Sequence, residues 1–131
     1  MPPRFALLPD NDSLLAEHLD RLSACLPGLL APRVAAAIVI GSVADGRARD
    51  ASDIDVVLVL AVEEPRRAHY RWWETEVAPR LPLAARFPVQ PIFIGRGSVR
   101  TQEPTLRDAL ARGIRLWDPE GLLDDESSTG T

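Results

Sequence analysis

The chain has 131 residues, 46% of them hydrophobic and 26% charged, which is one globular domain's worth and leaves no room for two. A net charge of -4 argues against a domain that coats nucleic acid, and a single cysteine, Cys25, excludes an internal disulfide framework. No apolar stretch is long enough to span a bilayer, and Met1 to Asp10 lacks the charged-then-apolar pattern of a signal peptide, so a cytoplasmic protein is expected.

In chain order, Asp12-Ser13 has the composition of a helix N-cap. Leu14, Leu15, His18, Leu19, Leu22, Cys25 and Leu26 then recur at helical spacing, and Pro27-Gly28 is expected to end the helix. The apolar run Val34 to Ile40 predicts a buried strand that ends at Gly41, and Ser42 to Ala48 a short helix. Ile54 to Val62, continuously apolar after two aspartates, predicts a central strand covered on both faces. Glu63-Glu64-Pro65 should open a helix running to about Pro79, with one of Trp72 and Trp73 in the core and the other partly out. Val89 to Ile94 predicts a third strand, with Pro91 marking an edge or bulge. Glu103-Pro104 opens a last helix through Arg112, Gly113 closes it, and Ile114 to Trp117 forms a short final strand. The expected architecture is α/β, a small mixed sheet packed with helices, in one domain over residues 1–120 followed by a flexible tail over 121–131.

Chemistry concentrates between residues 41 and 55. Glycine directly after a strand lets the backbone approach a ligand, and a helix starting at Ser42 would aim free N–H groups at an anion such as phosphate. Asp53 and Asp55, two apart in a strand, project to the same side, with Ile54 opposite. Two adjacent carboxylates need a neutralising charge, and Mg²⁺ prefers one or two carboxylates completed by substrate phosphates and water. Arg47 and Arg49 fit a phosphate contact or a solvated loop equally. His18 and His69 lack metal-ligand spacing.

Gly41-Ser42, then ten residues, then Asp53-Ile54-Asp55, with Gly46 in the spacer and Ser52 before the first aspartate, resembles the nucleotidyltransferases of the DNA polymerase beta superfamily, and within them the minimal nucleotidyltransferase (MNT) branch. The resemblance covers about residues 34–117 and implies a polymerase-beta-like nucleotidyltransferase fold. It implies that Gly41 and Ser42 hold the phosphates of ATP or another nucleoside triphosphate, and that Asp53 and Asp55 ligate one or two Mg²⁺. It further implies transfer of a nucleoside monophosphate, AMP first among them, to a hydroxyl. Relatives carry a third carboxylate on a neighbouring strand, and the matching position here is Gln90, whose amide cannot accept a proton. Many small members of the family are antitoxins paired with a HEPN-domain toxin, so a HEPN-type partner, or a second copy of the chain, is the partner the resemblance implies. The alternative is a catalytically degraded module that binds nucleotide or a partner.

Overall fold

The computed structural model describes residues 9–41, 43–44, 53–81, 87–99 and 104–123. Helix α1 spans Pro9–Leu30, strand β1 Val34–Ile40 and strand β2 Ile54–Leu60. Helix α2 spans Arg67–Trp72 and runs on through a π-helical turn at Trp73–Val77 and a 3₁₀ turn at Ala78–Arg80. Strand β3 spans Val89–Gly95, a 3₁₀ turn follows at Arg96–Val99, helix α3 spans Pro104–Arg112, and strand β4 spans Ile114–Trp117.

The four strands form one mixed sheet in the order β3-β2-β1-β4. Strand β1 is antiparallel to both of its neighbours, whereas β2 and β3 are parallel and joined by the helical segment between them. A parallel pair cannot be closed by a hairpin, which is why α2 and its continuation sit between these two strands. This α/β arrangement is the one expected from the sequence.

Alternation along the strands divides the core in two. On one face Val34, Ala37, Val39, Ile54, Val56, Leu58, Leu60 and Leu116 share a core with Leu15, Leu19, Leu22, Leu26 and Leu30 of α1 and with Trp73 and Val77, while Phe93 packs against His69, Tyr70 and Trp72 of α2. On the other face Ala36, Ile38, Val57, Val59 and Ile94 meet Leu110 of α3, with Val99, Leu122 and Leu123 packed at the margin. The Asp118 carboxylate accepts the N–H groups of Leu122 and Leu123 at 2.8 and 2.9 Å, so the chain stays packed past residue 120.

Several boundaries differ from the sequence expectation. Helix α1 begins at Pro9, ahead of Asp12-Ser13, with proline at its first position, where a missing N–H costs nothing. It also runs through Pro27 to Leu30. The leucine spacing 15, 19, 22, 26 continues to Leu30, which is fully buried, and that burial, about 1.5–3 kcal/mol, offsets much of the cost of an interior proline. Strand β2 ends at Leu60, two residues before Val62, and Val62 is 93% exposed.

Helix α2 begins at Arg67 instead of Glu63. The reason is a local hydrogen-bond set that keeps Glu63 to Arg66 outside the helix. The Arg66 N–H donates to His69 Nδ1 at 3.0 Å, and the His69 N–H donates to the Arg66 carbonyl at 3.0 Å. Glu63 meanwhile accepts from Arg33 at 3.0 Å and lies 3.3 Å from His69 Nε2. With Nδ1 accepting, the ring proton belongs on Nε2, facing Glu63. Trp73 is buried and Trp72 half-buried beneath the Arg33 guanidinium, 4.9 Å from its ring centre, so the expected division of the two tryptophans holds.

Strand β3 is an edge, as Pro91 suggested. The Phe93 N–H points away from β2 and donates to the Tyr70 hydroxyl at 3.1 Å. Pro91, two residues earlier, turns its nitrogen the same way, so proline removes one free-edge donor and Tyr70 covers the next.

Two ionisable groups give the fold a definite acid response. Burial pushes the His18 imidazole below its ordinary value of 6.5, with Arg21 adding to the effect and the Phe87 main chain opposing it. Hydrogen bonds from Arg33 and His69 hold the Glu63 carboxyl below its ordinary 4.5. Both folded-state values are depressed, so each contribution is complete above the unfolded-state value and is lost as pH falls below it. Thermal midpoints should therefore fall as pH drops through the histidine range, whereas in the carboxylate range the loss at Glu63 is opposed by Asp55, whose carboxyl is held above its ordinary value. The decline in the histidine range should vanish in His18→Phe.

Candidate functional site

Of the residues singled out in the sequence, Gly41, Asp53, Asp55 and Gln90 lie at one end of the sheet. Asp53 and Asp55 share the parity of Val57 and Val59, and so face the side that carries α3. Ile54 points into the core beneath α1. Asp53 is exposed and Asp55 half-buried.

The register then adds two neighbours. Ile40, the last residue of β1, pairs with Asp55. On the other side Gln90 is the parallel partner of Asp55, one strand spacing away, and like Asp53 it is exposed. Ile92, two residues along β3, and Ile40 leave a half-buried apolar wall beside these polar groups. That wall was not singled out in the sequence, although strand alternation from Gln90 would have found it.

Gly41 closes the site. Its φ of 77° lies in the left-handed region, and a Cβ placed there would stand 2.7 Å from Asp55 Oδ2. The left-handed backbone is what requires glycine here, and the missing side chain lets the β1 turn lie against the Asp55 carboxylate without pushing it aside. Gly41→Ala should lose about 1–2 kcal/mol of stability from the left-handed backbone alone, read as a lower urea midpoint, and should displace Asp55 as well.

Burial, followed by the charge of Asp53, pushes the Asp55 carboxyl above the usual carboxylate range. Among the described residues the site offers the carboxylates of Asp53 and Asp55 and the amide of Gln90, whose hard oxygens are of the type Mg²⁺ takes. Among the described residues no group of three or more His, Cys, Asp or Glu could by itself hold a metal.

Ser42, Asp45, Arg47, Arg49, Asp50, Ser52 and Glu103, and the short helix expected from Ser42, lie outside the described residues. His18 and His69 are both fully buried and away from the carboxylates in sequence and face, and neither joins them.

Residues 18–103 match the family model of the nucleotidyltransferase domain. The chain belongs to the nucleotidyltransferase domain family. The match spans α1 to the loop after β3 and includes every element that positions Gly41, Asp53, Asp55 and Gln90. Among solved structures, the chain is similar to one described as the crystal structure of the toxin-antitoxin with AMP-PNP. The TM-score is 0.50, with 22% identity over 75% of this chain and 74% of that one. The likeness supports a shared fold, and the mixed four-stranded sheet with its helices is the polymerase-beta-like nucleotidyltransferase fold. No curated protein matches the chain. Among the described residues no helix is long and apolar enough to cross a membrane.

Proposed function

We propose that this nucleotidyltransferase-family chain binds a nucleoside triphosphate, ATP first, at the end of the sheet formed by Gly41, Asp53, Asp55 and Gln90. It would transfer the nucleoside monophosphate to a hydroxyl, with pyrophosphate leaving. The observation that carries this reading is the convergence of the two aspartates, the side-chain-free turn at Gly41 and the in-register Gln90 at one end of the sheet. Asp53 and Asp55 would hold Mg²⁺, which when bound supplies charge neutralisation for the phosphates. The chain's own tasks are to keep the two carboxylates side by side, to bring the Gly41-Ser42 main chain against the phosphates, and to orient the reacting groups.

The acceptor would be a protein. The solved structure that the chain resembles is described as a toxin-antitoxin, an assembly of proteins. A HEPN-type toxin is the leading partner, with this chain as its antitoxin, in the cytoplasm; a second copy of the chain is the other candidate. The test uses ATP labelled at the α-phosphate, incubated with this chain, Mg²⁺ and a HEPN-type protein encoded beside it. Label should become covalently attached to that protein, and γ-labelled ATP should leave none. Absence of label from both would remove the transferase reading.

Gln90 favours a second reading. A neutral amide accepts no proton from the acceptor hydroxyl. On that reading the chain binds Mg²⁺-ATP and acts on its partner by contact alone, and the labelling experiment returns binding without transfer.

A further inference from the structure

His18 is an unusual occupant of a core. Its side chain is fully buried, and neither ring nitrogen makes a well-formed hydrogen bond, although the Phe87 main chain lies close enough to favour the protonated ring slightly. A leucine there would leave no polar atom stranded. What the imidazole does make is a stack on Phe87, with ring centres 5.4 Å apart and planes 24° from parallel. Phe87 is itself buried in the same core as Ile54. The next residue, Pro88, accepts the Ile54 N–H at 2.8 Å through its carbonyl. Ile54 lies between Asp53 and Asp55, and the strand that leaves Pro88 reaches Gln90, the partner of Asp55, two residues later.

We propose that the His18–Phe87 stack is a positioning contact for the carboxylate pair, fixing the Phe87–Pro88 segment so that its carbonyl holds Ile54 and its strand presents Gln90 beside Asp55. The proposal rests on the reading of Asp53 and Asp55 as the nucleotide- and metal-holding pair, but its mechanical part stands apart from any ligand. Helix α1 otherwise touches neither aspartate's face of the sheet, and the stack gives it a path to the site. A flat ring is what the contact needs; the ring nitrogens are incidental to it.

The test compares wild type, His18→Ala and His18→Phe by residue-resolved amide hydrogen exchange, and by titration with ATP in the presence of Mg²⁺. In His18→Ala the Ile54 amide should exchange at least tenfold faster relative to Leu58, further along the same strand, and the affinity for Mg²⁺-ATP should fall at least tenfold. His18→Phe, which keeps a flat ring, should restore both. A purely structural role would speed Ile54 and Leu58 in proportion and leave the affinity of the folded variant unchanged, and either result overturns the proposal. If wild type binds no ATP, the function proposed above fails, while the exchange ratio still decides whether the stack holds Ile54. If His18→Ala does not fold, Phe87→Leu removes the same ring contact at smaller cost in volume and is read in the same way.

Discussion

Gln90→Asp should raise nucleotidyl transfer by about 10²-fold or more over wild type, the lower range of what a positioned proton acceptor contributes. The substitution is nearly free of steric cost, because Gln90 is exposed at the start of an edge strand and the aspartate side chain is one methylene shorter. The register puts the new carboxylate directly beside Asp55, where it can bind metal and accept a proton from an acceptor hydroxyl. Its electrostatic cost has a clear sign. Asp55 is already pushed upward by burial and by Asp53, and a third negative charge one strand away pushes it further, so the ligand-free variant should melt at lower temperature. Mg²⁺ should reverse that loss. A rate unchanged from wild type, with the variant folded and Mg²⁺-ATP bound, would mean that position 90 takes no part in proton transfer.

Asp55→Asn should have the opposite pair of effects. The folded protein holds the Asp55 carboxyl above the usual carboxylate range, so the ligand-free fold gains stability from protonation and loses it as pH rises through that range. A neutral isostere removes this loss, and the thermal midpoint at pH 7 should rise. The same change leaves Asp53 as the lone carboxylate for Mg²⁺, and Mg²⁺-dependent ATP affinity should fall at least a hundredfold. A gain in stability together with a loss of binding is the signature of strain kept for function, and a purely structural aspartate would show the reverse. Circular dichroism melting and an ATP titration on the same sample give both readouts.

These effects follow from features that differ in how openly the sequence shows them. The strand Ile54–Leu60 and the shared side of Asp53 and Asp55 were legible, because period-two alternation fixes which residues share a face whatever the neighbours are. The turn at Gly41 was legible in kind, since a glycine ending an apolar run marks a close approach, but what approaches it, Asp55, belongs to the next strand. That Gln90 stands opposite Asp55 depends on the register between strands separated by a helical crossover, and only the family resemblance pointed to it. The late start of α2 and the passage of α1 through Pro27 were hidden for a related reason. Local propensity proposes a boundary there, and distant partners, Arg33 with Glu63 in one case and the core around Leu30 in the other, override it. The His18–Phe87 stack joins residues far apart in the chain and has no sequence signature at all.

The proposed activity depends first on Asp53 and Asp55 holding Mg²⁺ with a nucleotide. Calorimetric titration of ATP into the wild-type chain, with and without Mg²⁺, and into an Asp53→Ala/Asp55→Ala variant, tests this most directly. The expected result is binding by wild type that requires Mg²⁺ and disappears in the folded variant. Equal binding by wild type and variant, or binding that ignores Mg²⁺, would place the nucleotide elsewhere and contradict the assignment of Asp53 and Asp55.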